Sequence, residues 1–564
     1  MASQVEERIH SCLDNNENFL LDAGAGSGKT WTLVQSLKYL LKHKSELLQK
    51  NNQKIVCITY TKVARDEIID RTENNNLIIV STIHEFLWSC IDKYKTELKE
   101  KLIEHIDEKI IDIDNVISGL TARAVKTREK EKIKKEKIKK EKLLENKQFL
   151  IENNKLITYG EYPYYKESII SHDEVILLSE KLFSSYEVIK KILSDSFPYI
   201  FIDEYQDTDE KVIKIFLDYL HTNASSTIGL FGDKMQKIYD TGIGEIPISY
   251  SLERIPKEEN YRCSISVINL LNKIRVDIQQ FPAGDNVQRE GDSFFVKRTD
   301  ESDVKLFINE TLTTRWNATE GEIKVLYLTH NLIAKENGYF DLIDLYTKKS
   351  NREYLIKNED NRSCPFSNFL FDVQNIINLY QEGRIQLLLQ KTHFTLNSFE
   401  DKVLLNEKLL ELTAISENKQ IHEIIDFVND NNILKKSEKM IDYDFENEKK
   451  KDYFESLMEI PYKQFKLCTG TQKNDTPFTT QHGTKGDEFD NVLVVIDDNA
   501  WTQSYNFDKY FSNNDTSERR KEKTKNLFYV VCSRAKNNLA ILCLSELSES
   551  SKSKIRELFN ETDI

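Results

Sequence analysis

The stretch Ala23-Gly24-Ala25-Gly26-Ser27-Gly28-Lys29-Thr30 lies between an apolar run, Phe19-Leu20-Leu21, and an amphipathic one from Trp31 to Leu41. That order predicts strand, glycine-rich turn and helix. Three glycines let successive backbone N–H groups point inward at phosphate oxygens, where a Cβ would block approach. A helix starting near Gly28 adds the positive end of its dipole. Lys29 is placed to reach the β- and γ-phosphates of ATP, and the Thr30 hydroxyl to hold Mg²⁺. The strict pattern G-x-x-x-x-G-K-[ST] begins with glycine; here Ala23 takes that place. The competing reading is a glycine-rich β–α turn that binds nothing, and the strand before and helix after weigh against it.

At 564 residues the chain exceeds one core, and length alone suggests about three to four domains. Hydrophobic residues at 39% and charged residues at 30% describe a globular protein with a well-charged surface. No apolar run approaches the ~18 residues of a membrane span, so no membrane partner is expected. The N-terminal residues read straight into a helix, with no signal peptide. Eight cysteines are scattered without a C-x-x-C pair, which reads as buried free thiols in a reducing cytoplasm. The net charge of −14 argues against indiscriminate coating of nucleic acid. A localised basic groove remains compatible with it.

Residues 1–90 alternate strands and helices, with strands at 54–59 and 77–80 after the phosphate loop, and imply a parallel sheet with ligand sites at the strands' C-terminal ends. Residues 91–165 read as charged helix, with Glu-Lys-Ile-Lys-Lys repeated from Glu131. A five-residue step turns about 140° round a helix, so Ile133, Ile138 and Leu143 share no stripe and a coiled-coil seam is disfavoured. Two readings of this arm stand: a solvated helix, or a basic arm on nucleic-acid backbone. Strands return at 198–203 and 227–232. A second α/β unit is expected from about residue 255, with strands at 293–296, 323–328, 492–496 and 539–542, interrupted by helices over 340–465.

A nucleotide loop needs a metal partner and a water-activating group. Asp203-Glu204 ends an apolar strand, so Asp203 is the candidate for Mg²⁺ and Glu204 for polarising the attacking water. The string continues as Asp203-Glu204-Tyr205-Gln206-Asp207. With it the chain resembles the UvrD/Rep-type helicases of superfamily one. The family's motifs occur in its order: AGAGSGKT; Tyr60-Thr61 with Ala64; Thr82-x-His84-x-Phe86; DExQD; Gly232-Asp233-x-x-Gln236-x-Ile238-Tyr239; Asn260-Tyr261-Arg262; Thr480-x-His482-x-x-Lys485-Gly486-x-Glu488-Phe489; and Tyr529-Val530-x-x-Ser533-Arg534-Ala535-Lys536.

The resemblance implies an α/β fold of two RecA-like parallel-sheet motor domains, each with a mainly helical insertion. Residues 1–90 plus 166–254 would form the first, with its insertion at 91–165. Residues 255–339 plus 466–564 would form the second, with its insertion at 340–465. Gln236 would bond the γ-phosphate region and the hydrolytic water. Arg262 and Arg534, both read as belonging to the second unit, would act as arginine fingers. Glu488 would contact the ribose, and Gln4 would read the adenine. Single-stranded or tailed duplex DNA would meet Thr61, Thr82, His84, Phe86, Tyr239, Thr480 and His482; for Phe86 a core position is the alternative.

Three segments depart from the family's pattern: Asp240-Thr241-Gly242-Ile243 after Tyr239, Lys62-Val63 after Thr61, and Lys523-Thr524-Lys525-Asn526 before Tyr529. The first costs or rebuilds a stacking position. The expected activity is an ATP-dependent 3′-to-5′ DNA helicase or translocase in phage defence or DNA repair. The alternative is a DNA- and nucleotide-sensing ATPase that regulates a partner nuclease with little unwinding of its own. Compact chains of this pattern resemble the helicase-like subunit of Gabija anti-phage systems, which pairs with an endonuclease subunit.

Overall fold

The computed structural model describes residues 3–121, 127–153, 155–160, 163–221, 226–237, 242–298, 303–327, 334, 338–347, 365–394, 396, 398–436, 438–441, 443, 448–472, 478–479, 487–500 and 505–564. They divide into two compact units, Met1–Gln288 and Arg289–Ile564. Each is built on its own six-stranded parallel sheet, so the fold is α/β with two RecA-like domains.

In the first unit the strands of this sheet are β1 (Phe19–Ala23), β2 (Ile55–Thr59), β3 (Ile78–Thr82), β4 (Tyr199–Asp203), β5 (Thr227–Gly232) and β6 (Glu253–Lys257). Their order is β3-β2-β4-β5-β1-β6, and the pairs are parallel throughout. Both faces of this sheet are covered, which is why its strands read as continuous apolar runs. Successive side chains serve opposite faces. Phe19, Leu21, Cys57 and Phe201 join one core with helices α1 (Gln4–Asn15) and α2 (Lys29–Lys50). Leu20, Val56, Ile58 and Ile202 join another on the far side. Parallel strands also bring the loops after β1 to β5 to one edge, so the phosphate loop, Thr61, Thr82, Asp203-Glu204 and Asp233 are carried there.

The first unit does not stop near residue 255. Glu253–Lys257 pairs with β1 from Phe19↔Glu253 to Ala23↔Lys257, and the unit runs on to Gln288. Pro256 sits in this strand, which is tolerated because β6 is an edge. The expected boundary is corrected accordingly, and Arg262 belongs to the first unit.

After α3 (Lys62–Arg71) and α4 (Ile83–Ile91) the chain forms a helical hairpin, α5 (Lys95–Thr121) and α6 (Thr127–Glu152). Lys140 and Lys147 of α6 pair with Asp114 and Asp107 of α5, at 2.6 and 2.5 Å. Ile138 stays 45% exposed, consistent with the absence of an apolar seam. The chain returns through α7 (His172–Ser185).

The second unit contains β7 (Asp292–Lys297), β8 (Ile323–Tyr327), β9 (Phe478–Thr479), β10 (Phe489–Ile496), β11 (Ala535–Cys543) and β12 (Glu561–Asp563), in the order β9-β8-β10-β11-β7-β12. Between β8 and β9 the described elements are all helical. Phe369, Val373, Ile424, Tyr453 and Phe465 from that segment share a core with Val325, Leu493 and Ala540 of the sheet. The described cysteines are free and buried. No described helix is long and apolar enough to cross a membrane.

Candidate functional site

The phosphate loop is a backbone cradle held from behind. Gly26 has φ +73°, and a Cβ there would lie 2.7 Å from Arg262 Cβ and 2.8 Å from Asn260 Oδ1. At Gly24 a Cβ would meet Gln280 Nε2 at 2.2 Å. Gly26 therefore serves two ends at once, an unusual backbone conformation and room for neighbours, and Gly24 serves the second. Asn260 Nδ2 and Gln280 Nε2 both donate to the Ala25 carbonyl, at 2.9 and 3.0 Å. The Tyr261 N–H donates to Gly26 O at 2.9 Å, and Asn260 Oδ1 accepts the N–H groups of Arg262 and Cys263. Arg262 thus lies beside the loop within the same unit. Sequence reasoning assigned the Asn-Tyr-Arg motif but missed Gln280.

Helix α2 starts at Lys29 without a side-chain cap on its first turn. The Ser27 hydroxyl is buried and has no hydrogen-bond partner among the described residues. An uncapped helix terminus with an orphan hydroxyl beside it suits a ligand with several acceptor oxygens. The residues present fit a nucleotide polyphosphate.

Opposite the loop, Lys29 Nζ lies 2.7 Å from Glu204 Oε2 and 3.9 Å from Asp203 Oδ1. Burial works to lower the Lys29 pKa, but the two carboxylates outweigh it and hold the ammonium charged. Glu204 has φ +53°, rare for a residue with a side chain. This kink, directly after β4, sits where the acid turns towards Lys29. Gln206 Nε2 donates to the same Glu204 oxygen at 2.6 Å, and Gln206 Oε1 accepts the Asp233 N–H at 3.1 Å. Asp233 in turn accepts from Gln236 Nε2 at 2.8 Å. Lys29, Glu204, Gln206, Asp233 and Gln236 form one connected chain of polar contacts. Thr30 is half-buried at the head of α2, and Asp203 is 4% exposed at the end of β4. These two are the side chains that could hold Mg²⁺.

Of the expected nucleic-acid contacts, Thr61 and Thr82 stand at the C-terminal ends of β2 and β3, where each caps a helix: Thr61 accepts from the Ala64 N–H and Thr82 from the Glu85 N–H. His84 is half-buried, its ring 4.6 Å from that of His172. Burial, then the neighbouring His172, pushes its pKa down, so it favours the neutral form. Phe86 is corrected to a core residue. It is 3% exposed and packs against Phe197 and Phe216, which leaves no ring face for a base. Gln4 is exposed in the first turn of α1, and the buried side chain of that turn is Glu6. Tyr239, Thr480 and His482 lie outside the described residues.

In the second unit Arg534 is 1% exposed at the turn into β11. Its guanidinium donates to the carbonyls of Val530 and Asp487, at 3.1 and 3.3 Å. Glu488 pairs with Lys536 at 3.3 Å.

A family model described as the UvrD/REP helicase N-terminal domain matches residues 3–253. The Gabija protein GajB of Bacillus cereus (strain HuB5-5) is 30% identical to the chain, over 98% of this chain and 96% of the relative. The ATP-dependent DNA helicase Rep of Buchnera aphidicola subsp. Schizaphis graminum (strain Sg) is 26% identical over 45% of this chain and 41% of its own length. PcrA of Staphylococcus aureus (strain Mu50 / ATCC 700699) is 23% identical over 55% and 46%. The chain therefore spans less than half of either helicase, whereas it matches the first relative nearly end to end. The helicase motifs carried on the first unit's sheet edge and that full-length match agree: the chain belongs to the family of the Gabija protein GajB, within the UvrD/Rep-type helicases.

Proposed function

We propose that this protein is an ATP-driven motor that moves 3′ to 5′ on single-stranded DNA and serves phage defence together with a partner endonuclease. The observation that carries the reading is the shared edge of the first sheet. The same row of strand ends supports the phosphate loop, the Asp203-Glu204 pair, the Gln236 turn and the polar ends at Thr61 and Thr82. A shift at the nucleotide is thereby felt where a DNA strand would lie.

Lys29 and the loop N–H groups bind and orient the β- and γ-phosphates. Thr30 and Asp203 would hold Mg²⁺, which supplies charge neutralisation at the phosphates. Glu204 takes the proton of the attacking water, and Gln236 orients that water. Arg262 and Arg534 stabilise charge on the γ-phosphoryl, and Glu488 contacts the ribose. Thr61, Thr82 and His84 contact the DNA strand, joined by Tyr239, Thr480 and His482.

A second reading, an ATPase that senses DNA and governs the nuclease with little unwinding, draws support from the near-complete likeness to GajB beside the partial likeness to Rep and PcrA. Duplexes carrying a 3′ tail, a 5′ tail or none separate the two. Unwinding confined to the 3′-tailed duplex supports the motor. ATP turnover without strand separation on any of them supports the sensor.

A further inference from the structure

Arg275 is a buried arginine that no helicase motif names. It is 1% exposed and closes the helix Ile265–Ile274, which begins just after Asn260-Tyr261-Arg262. Its NH1 donates to Asp233 Oδ1 at 2.7 Å. Its NH2 donates to Asp22 Oδ1 of β1 at 3.0 Å and to Asp277 Oδ2 at 3.4 Å, and its Nε to Asp277 Oδ1 at 3.1 Å. Lys234 also reaches Asp277, at 3.2 Å, and Glu245, at 3.0 Å. The remaining Asp233 contacts point into the site: Oδ1 accepts the Met235 N–H and Oδ2 accepts Gln236 Nε2.

We propose that Arg275 is a positioning residue for ATP hydrolysis: by gripping Asp233 and Asp22 together, it holds the turn bearing Gln236 in register with the phosphate-loop strand. The inference rests on the ATP-site reading above. A guanidinium suits the task because its planar fork reaches three carboxylates in fixed directions, whereas an ammonium offers one point charge. Asp233 is fully buried, so without this partner its carboxylate would be left as a buried charge lacking its arginine and would turn away. Gln236 would then lose the acceptor that aims its amide. The helix linking Arg262 to Arg275 also joins the arginine beside the phosphate loop to the Gln236 turn through one rigid element.

The test is steady-state ATP turnover by the full chain with single-stranded DNA, comparing wild type, Arg275→Lys, Gln236→Ala and the double variant. Arg275→Lys is expected to lower kcat by ~10- to 100-fold, with KM for ATP within about twofold. In the Gln236→Ala background the same change is expected to cost much less, because Arg275 acts through Gln236. Equal fold-losses in both backgrounds, or a raised KM at unchanged kcat, would overturn the proposal. Should Arg275→Lys fail to fold, Asp277→Asn loosens the same guanidinium from its more exposed side. It is expected to give a smaller loss confined to kcat, and no loss of kcat would overturn the proposal equally. Lys29→Ala is run alongside. Turnover surviving that change would overturn the ATP-site reading and this inference with it. Turnover lost there but untouched by Arg275→Lys would overturn this inference alone.

Discussion

Lys29 Nζ and Glu204 Oε2 stand 2.7 Å apart, so the ammonium suited to bind phosphate is paired with the carboxylate suited to activate water. The carboxylate helps to hold Lys29 protonated despite its burial. In the proposed mechanism, nucleotide binding would draw the lysine towards phosphate oxygens and away from Glu204. In that mechanism one contact would link occupancy of the loop to the readiness of the proposed base.

Replacing Glu204 with Gln removes both the proposed base and the charged partner of Lys29. Turnover is expected to fall by ~10²- to 10⁴-fold, while a fluorescent ATP analogue binds as tightly as before or more tightly. Titration of that analogue, beside a phosphate-release assay, checks the split. Weaker binding with unchanged turnover would contradict the pairing's role.

Gln280→Ala leaves the chemistry in place but frees one side of the phosphate loop. Asn260 still holds the Ala25 carbonyl, so the loop loosens without collapsing. KM for ATP is expected to rise by about 3- to 10-fold, equivalent to one hydrogen bond of about 1 kcal/mol, with kcat nearly unchanged. Steady-state kinetics against ATP concentration reads this directly.

Helix α6 carries Lys132, Lys135, Lys139 and Lys142 exposed along one face, while Lys140 and Lys147 turn towards α5. If the exposed four meet DNA backbone, changing them to Ala weakens DNA binding at low salt. It also makes the slope of log K against log salt shallower by ~0.7 to 0.9 for each phosphate that is no longer neutralised. ATP turnover without DNA should not change. An unaltered slope would establish the helix as a solvated arm.

Asp22 tests the charge network by pH. Burial lifts its carboxyl from an ordinary 3.8 to about 6, against the opposing pull of Arg275. The folded protein therefore holds this proton over a range where the unfolded chain has released it. Stability contributed by the group is present at low pH and declines as pH rises from about 4 to about 6. Asp22→Asn should flatten the thermal midpoint across that window, measured in small pH steps. A decline of unchanged depth in the variant would assign it to other groups.

Much of the first unit was legible because its signals are local. The run into Ala23 and the glycines after it specify strand, turn and helix by periodicity and backbone freedom alone. Asp203-Glu204 is similarly announced by the apolar strand before it. Glu253–Lys257 was not legible: Glu-Arg-Ile-Pro-Lys is charged and contains proline, and it becomes a strand only because β1 offers an open edge. Arg275 was hidden for a related reason, since Asp233 and Asp22 lie 42 and 253 residues away in sequence. Phe86 was ambiguous because aromatic rings serve cores and stacking platforms alike, and only Phe197 and Phe216 around it decide the matter.

The most direct test of the central claim is ATP hydrolysis by the purified chain with and without single-stranded DNA, beside Lys29→Ala. The account predicts turnover that DNA stimulates and that Lys29→Ala abolishes. Turnover indifferent to DNA would contradict the proposed link between the phosphate loop and the DNA-facing sheet edge. Turnover indifferent to Lys29→Ala would contradict the nucleotide site itself.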